Sequence, residues 1–174
     1  LDKIVEFVPH PQGNPTDPLQ LLVSSLSYSS FLGRLAIGKV TSGSVKINQD
    51  VVISKLNGNL DKTRITKIYT FSGNEQVETN SAEVGDIIAV SGVGDVTVGE
   101  TITDPTNPIP LEAIELDPPT ISMTFLANDS PFSGREGEFV TSNHLKDRLY
   151  KEILSDVALQ VEVNEGNQGF RVSG

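Results

Sequence analysis

The distribution of proline constrains this chain more than any other feature of its sequence. None of the ten prolines lies between Leu19 and Asp104, and all but Pro131 cluster on either side of that stretch. Because proline has no backbone N–H, it is confined to turns, linkers and the edges of sheets. A continuous hydrogen-bonded sheet therefore fits between the two clusters, which are typical of linkers and which we place at residues 1–18 and 105–118.

The proline-free stretch, residues 19–104, has the pattern of many short strands. Its apolar or alternating runs are separated by residues that tolerate a positive φ, such as Ser42-Gly43 and Asn57-Gly58. Turns at this spacing favour a closed antiparallel sheet, since closure removes the exposed edges. We therefore predict a small antiparallel β-barrel. The expected strand residues are 19–23, 35–37, 51–53, 63–68 and 87–90.

A different pattern follows the second linker, over residues 119–174. One strand alternates through Ile121, Met123 and Phe125, and the helix after it repeats an apolar residue every fourth position. Two more strands follow, at 157–163 and from Phe170. The order strand, helix, strand, strand predicts a partial ferredoxin-like βαββ unit, so the fold class is mainly β with a smaller α+β part.

Composition excludes several classes of function. The chain has no cysteine, which removes disulfides and thiolate metal sites, and its two histidines, His10 and His144, have no partner ligands in the sequence. No apolar run approaches the ~20 residues that a membrane span requires. We therefore expect no metal, no cofactor and no catalytic residue in this chain, and no membrane partner.

One motif resembles a phosphate-binding loop but fails at its last position. Gly33 to Lys39 has the spacing of two glycines and a lysine, yet Val40 stands where a hydroxyl would reach magnesium. A turn, Ser42-Gly43, follows where a helix should begin. We interpret the segment as a strand whose glycines allow a close backbone approach or a barrel corner.

Charge is distributed unevenly along the predicted barrel. Residues 34–67 contain seven basic and two acidic side chains, whereas residues 68–110 contain seven acidic side chains and no basic one. A local basic segment fits contact with nucleic-acid phosphates, and an ordinary solvated surface is the alternative. The candidate RNA contacts are Arg34, Lys39, Lys46, Lys55, Lys62, Arg64 and Lys67.

The order of several sequence blocks resembles a known family. Five blocks in the barrel region are similar to the second domain of the translational GTPases. They are residues 33–43, 46–52, 63–68, 82–90 and 98–102. The region after the second linker resembles the third domain of the TypA/BipA ribosome-binding GTPases, above all in the Ser-Pro-Phe-Ser-Gly-Arg-Glu-Gly run at 130–137.

The resemblance implies a cytoplasmic, GTP-dependent factor that engages the ribosome and acts in ribosome assembly and in translation under stress. In that family the second domain touches small-subunit ribosomal RNA and the third lies near a small-subunit protein. The expected partners are therefore the ribosome and its RNA rather than DNA. Arg34 and Lys39 rank first because they lie in the best-matched block, although alternation places them on opposite faces of one strand.

We also expect the chain, which begins with Leu1, to be a piece of a longer protein that lacks the GTPase domain. GTP and magnesium would then belong to the parent protein, and this chain would not be an enzyme. The alternative is a stand-alone β-barrel module that binds a protein or carbohydrate partner, which the net charge of −10 would suit.

An incomplete third domain has a further consequence. Its apolar residues would lack the cover that a second helix provides. We expect either poor order beyond about Pro119 or burial of this face by a second copy, as a homodimer or a domain swap. The residues concerned are Ile121, Met123, Phe125, Leu159 and Val161.

Overall fold

The computed structural model describes residues 2–29, 31–73, 75–113, 118–135, 137, 139–156, 158–164 and 169–174. The chain divides into two units, Leu1–Glu115 and Leu116–Gly174. No helix in the described ranges is both long enough and apolar enough to cross a bilayer.

The described part of the first unit contains one short helix and ten strands. The helix is α1 (Asp2–Phe7). The strands are β1 (Gln20–Ser29), β2 (Gly33–Ser42), β3 (Ser44–Lys46), β4 (Asp50–Ser54), β5 (Leu60–Arg64), β6 (Lys67–Ser72), β7 (Glu75–Thr79), β8 (Ser81–Glu83), β9 (Ile87–Ser91) and β10 (Thr101–Thr103). Eight of them form an antiparallel row in the order β5-β4-β10-β1-β2-β9-β6-β7, and β3 pairs with β8.

The row of strands closes into a barrel through the connection between β5 and β6. Strand β5 continues into β6 with only Ile65 and Thr66 between them. Ile65 donates its N–H to the Gln49 carbonyl at 3.0 Å, and Thr66 donates to the Ser91 carbonyl at 3.0 Å. This connection therefore joins the β4 side of the row to the β9 side, and the predicted β-barrel is confirmed. The single strand expected at 63–68 is two strands, because its halves pair with different neighbours.

The barrel is filled by aliphatic side chains from nearly every strand. Burial does not always alternate along a strand, since four consecutive residues of β4, Val51 to Ser54, are buried. The largest fully buried side chains are Leu19, Leu21, Ile65, Ile68, Ile88 and Ile102. Aliphatic burial of this kind is the main favourable term in folding.

Gly38 confirms the interpretation of the glycine-rich segment as a strand. The segment lies in β2, and a Cβ atom at Gly38 would lie 2.1 Å from the backbone oxygen of Leu22. Opposite it, the register of β1 shifts between Val23 and Ser25. The glycine thus allows the close approach of β1 and β2 at a bulge. No phosphate-binding loop is formed here.

The second unit contains strand β11 (Ser122–Phe125), helix α2 (Ser142–Ile153), strand β12 (Gln160–Val163) and strand β13 (Phe170–Ser173). The sheet order is β11-β13-β12, with both pairs antiparallel. Thr141 caps α2, since its hydroxyl accepts a hydrogen bond from the His144 N–H at 3.3 Å. The βαββ order agrees with the predicted ferredoxin-like unit.

The second predicted strand of this unit begins later than expected. Strand β12 begins only at Gln160, and Val157 lies outside the described residues. In the earlier run at 130–137, Glu136 also lies outside the described residues. The N–H of Ala158 donates to the Asp156 side chain at 3.1 Å. A side-chain turn of this type competes with strand pairing, which explains the shorter strand.

Helix α2 covers only part of the apolar face of its sheet. Leu149 packs with Phe170 and Val172, and both Leu159 and Val161 pack against this cluster as well. By contrast, Ile121, just before β11, is 71% exposed, and Met123 and Phe125 on β11 are 60% and 37% exposed. An apolar strip over β11 is therefore uncovered in this unit, and its burial by a second copy stays a prediction.

Candidate nucleic-acid interface

Lys55 lies at one end of the barrel among acidic groups. Its ammonium nitrogen is 3.4 Å from Glu100 Oε2 and 3.7 Å from Asp61 Oδ2, and it donates a hydrogen bond to the Asp95 carbonyl. The Lys55 side chain is 14% exposed and that of Glu100 only 5%. Glu100 Oε2 also accepts the Thr97 N–H at 3.0 Å. The ammonium group of Lys55 is thus engaged in contacts within the barrel, which it stabilises.

Arg34 is also engaged within the barrel. Its Nη1 donates to the Val96 carbonyl at 3.1 Å, and the residue is half-buried in β2. Because Lys55 binds the neighbouring carbonyl of Asp95, the segment 92–100 is fastened from two sides, by β2 and by the β4–β5 hairpin. Two of the seven candidate cations therefore support this segment.

Arg64 forms a two-point ion pair with Asp50. Its Nε lies 2.7 Å from Oδ1 and its Nη2 lies 3.1 Å from Oδ2. The two residues face each other directly across the β4–β5 pair. The guanidinium holds the pKa of Asp50 below its usual range, mainly through the hydrogen bond, and the carboxylate raises the pKa of Arg64. Similarly, Lys67 Nζ lies 2.9 Å from Glu78 Oε2, and the hydrogen bond between them raises the pKa of Lys67.

The Asp50–Arg64 pair predicts a contribution to acid stability. Since the pKa of Asp50 is lower in the folded state, the unfolded state binds more protons as the pH falls below about 5. We expect wild type to be more stable than Asp50→Asn at neutral pH, and the difference to vanish at about pH 2. Urea unfolding midpoints measured across this range test it. Arg64→Gln should behave like Asp50→Asn. The prediction would be contradicted if the unfolding midpoint of wild type fell with pH in the same way as the midpoints of both variants.

The remaining candidates are Lys39, Lys46 and Lys62, all exposed. None of the three has an ion-pair partner among the residues that the structure describes. Lys39 lies on β2 opposite Leu22 and Ile87. Of the seven candidate cations, these three lysines are therefore the ones whose charge is not neutralised by an ion pair among the described residues.

Two neighbouring open grooves bring part of the set together. Lys46 lines a groove of about 550 Å³ with Gln49 and Asp104 among its walls. Lys62 and Arg64 line a second groove of about 490 Å³, whose walls include Asp50 and Pro105, the next residues along the chain. We call Lys46, Lys62 and Arg64 the cationic groove set. Lys39 lines neither groove.

Within the described ranges, no group of three His, Asp or Glu side chains is placed to hold a metal ion. The partners of the candidate cations are not visible in the charge pattern of residues 34–67. One signal for Asp50 was available, because Asp50 and Arg64 lie seven positions on either side of Asn57 in the predicted turn.

Comparison with known proteins gives the context for this surface. The family model described as elongation factor Tu domain 2 matches residues 33–103. A BipA protein of Synechocystis sp., named as a large ribosomal subunit assembly factor, is 44% identical over 99% of this chain and 29% of its own length. The proteins of the same name from Salmonella typhimurium and Bacillus subtilis are 44% and 41% identical, over 98% and 99% of the chain and 28% of their own lengths.

A solved structure shares the fold. A crystal structure of a protein from Thermus thermophilus matches 99% of this chain and 24% of that protein, with a TM-score of 0.66 and 19% identity. The chain spans less than a third of the length of the relatives that it matches. The family resemblance is confirmed: along nearly all of its length, this chain corresponds to a segment of the TypA/BipA proteins.

Proposed function

We propose that this chain is a ribosome-binding part of a BipA-like assembly factor and that its barrel contacts ribosomal RNA through the cationic groove set. The observation that carries the proposal is the exposure of Lys46 and Lys62, which have no ion-pair partner among the described residues and line adjoining grooves. The relatives' name, large ribosomal subunit assembly factor, supports the choice of the ribosome as the partner.

Arg64 suits phosphate binding even though it is paired. A guanidinium carries five N–H donors, and the contacts with Asp50 use Nε and one N–H of Nη2. Nη1 and the second N–H of Nη2 remain for a phosphate, and the carboxylate fixes the orientation of the planar group. Lys46 and Lys62 add two mobile point charges beside it. The set can therefore neutralise about three phosphates.

In this proposal GTP and magnesium are bound by other parts of a BipA-like protein, and this chain contributes affinity for the ribosome in the cytoplasm. Lys39 would make a separate contact from β2, whereas Arg34 and Lys55 serve the barrel. Assembly and a role under stress are then properties of the complete factor, to which the chain contributes its contact surface.

Cosedimentation of the chain with ribosomes and with separated subunits, across a salt series, tests the proposal. Three phosphate contacts predict a slope of log K against log salt of about −2 to −3. The triple variant Lys46→Glu, Lys62→Glu, Arg64→Glu should lose binding, and each single variant should reduce the slope by about 1.

The control is a triple variant with the same change in net charge, made at the exposed residues Lys3, Lys146 and Lys151. It should retain the wild-type slope. If both triple variants weaken binding equally, the effect comes from net charge alone, and the assignment of the groove set is wrong.

A further inference from the structure

Strand β7 leaves one edge of the barrel sheet without a partner. It is the last strand of the eight-stranded row, and among the described strands it pairs only with β6. Ser72 pairs with Glu75, and this pair, with two residues between its members along the chain, closes the β6–β7 hairpin. The hairpin extends past β9, whose last paired residue on β6 is Thr70. The part of β7 nearest the hairpin turn therefore extends beyond the end of the β6–β9 pairing, with its outer edge unpaired among the described strands.

The register shows which backbone groups face outward. In a hairpin with a two-residue turn the closing pair is hydrogen-bonded, and bonded and non-bonded pairs then alternate. The N–H and C=O groups of Glu75, Val77 and Thr79 therefore point to β6, and those of Gln76 and Glu78 point away from it. Two contacts agree with this alternation: Thr70 Oγ1 donates to the Val77 carbonyl at 3.4 Å, and the Asn80 carbonyl accepts the Ile47 N–H at 3.1 Å.

The side chains around this edge are acidic and partly apolar. Glu75, Gln76 and Glu78 are exposed, and so are Val77 and the neighbouring Phe71. Residues 68–110 contain seven acidic side chains and no basic one. Glu78 is paired with Lys67, and Glu75 has no ion pair with any described residue. Such an edge repels nucleic acid and attracts a cationic peptide.

The same charges select against a second copy. Two β7 strands pairing antiparallel would bring the glutamates of one copy beside those of the other, and like charges across a pair are destabilising. Acidic residues on an edge strand thus prevent self-association while leaving the edge open to a strand of opposite charge.

We propose that the outer edge of β7 binds an extended, lysine- or arginine-rich protein segment as an additional strand. The backbone groups of Gln76 and Glu78 would form its hydrogen bonds. On one face of the added strand Glu78 would pair with its basic side chains, and on the other face Val77 would contact its apolar positions. This site is separate from the cationic groove set and does not depend on RNA binding.

A labelled synthetic peptide of alternating lysine and valine tests the proposal by fluorescence anisotropy. Wild type should bind it, and should bind neither a glutamate–valine peptide nor a lysine–valine peptide that is N-methylated at alternate positions. Gln76→Pro removes an outward N–H without removing a bond to β6, so it should weaken binding roughly tenfold while leaving the unfolding midpoint near wild type. The double variant Glu75→Lys, Glu78→Lys should also lose binding.

Three results would overturn the proposal: no binding by wild type, wild-type affinity in Gln76→Pro, or equal binding of the N-methylated peptide. The matched control, Glu6→Lys with Glu112→Lys, changes the net charge by the same amount and should bind as wild type does. The triple variant of the cationic groove set should also keep its affinity for the peptide, which separates this site from the ribosomal RNA contact. If Gln76→Pro fails to fold, the N-methylated peptide provides the same test of strand pairing.

Discussion

Replacing Lys55 with methionine is expected to lower the free energy of unfolding of the barrel by about 3 to 5 kcal/mol, the usual cost of leaving one member of a buried ion pair alone. Glu100 is the residue left with an uncompensated buried charge. Its side chain is 5% exposed, and without the lysine its carboxylate keeps only the Thr97 N–H among its partners in the described part of the chain. Asp61 is more exposed and can be solvated by water instead.

Urea unfolding followed by circular dichroism measures this loss. The double variant Lys55→Met, Glu100→Gln should recover most of the stability, because the amide oxygen can still accept from Thr97 while the uncompensated charge is gone. Lys62→Met, on the exposed strand next to it, should change stability by no more than about 0.5 kcal/mol. A Lys55→Met protein as stable as Lys62→Met would show that the ion cluster does not stabilise the barrel.

The substitution Gly38→Ala is expected to cost about 3 kcal/mol, at the upper end for an overpacked core. The new Cβ would lie 2.1 Å from the Leu22 oxygen, 2.9 Å from the Leu22 carbonyl carbon and 3.0 Å from Leu21 Cδ2. Since the nearest atoms are backbone atoms of β1, no side-chain rotation can relieve the contact. The two strands would have to separate where they pair most extensively.

Thermal and urea unfolding of Gly38→Ala test this expectation, with Thr41→Ala on the same strand as control. Thr41 is exposed, so its replacement should change stability by less than about 1 kcal/mol. Equal stability of the two variants would mean that β1 and β2 can move apart at little cost, and the close approach would then not be a constraint on the sequence.

The barrel was predictable because its signals are local. Proline exclusion marks the sheet, and glycine-containing pairs such as Asn57-Gly58 mark the turns, so both are visible in a window of a few residues. The failed last position of the phosphate-loop motif, Val40, was likewise sufficient to identify β2 as a strand. In the second unit the four-residue spacing of Leu145 and Leu149 gave the helix for the same reason.

The fate of the individual cations was not predictable in this way. Lys55 meets Glu100 because Ser54 on β4 pairs with Thr101 on β10, a pairing between distant parts of the chain. No periodicity or turn signal reports which distant strands become neighbours. In the charge pattern of residues 34–67, Lys55 and Lys62 are therefore equivalent, although the folded barrel largely buries the side chain of Lys55 and exposes Lys62.

The segment 92–100, held by Arg34 on one side and Lys55 on the other, joins two hairpins that share no turn. An opening of the β1–β2 hairpin must release the Val96 carbonyl, and an opening of the β4–β5 hairpin must release the neighbouring carbonyl of Asp95. Both losses loosen the same short segment and weaken the other attachment. Local fluctuations at this end of the barrel are therefore coupled, so the two hairpins belong to one cooperative unit of unfolding rather than to two.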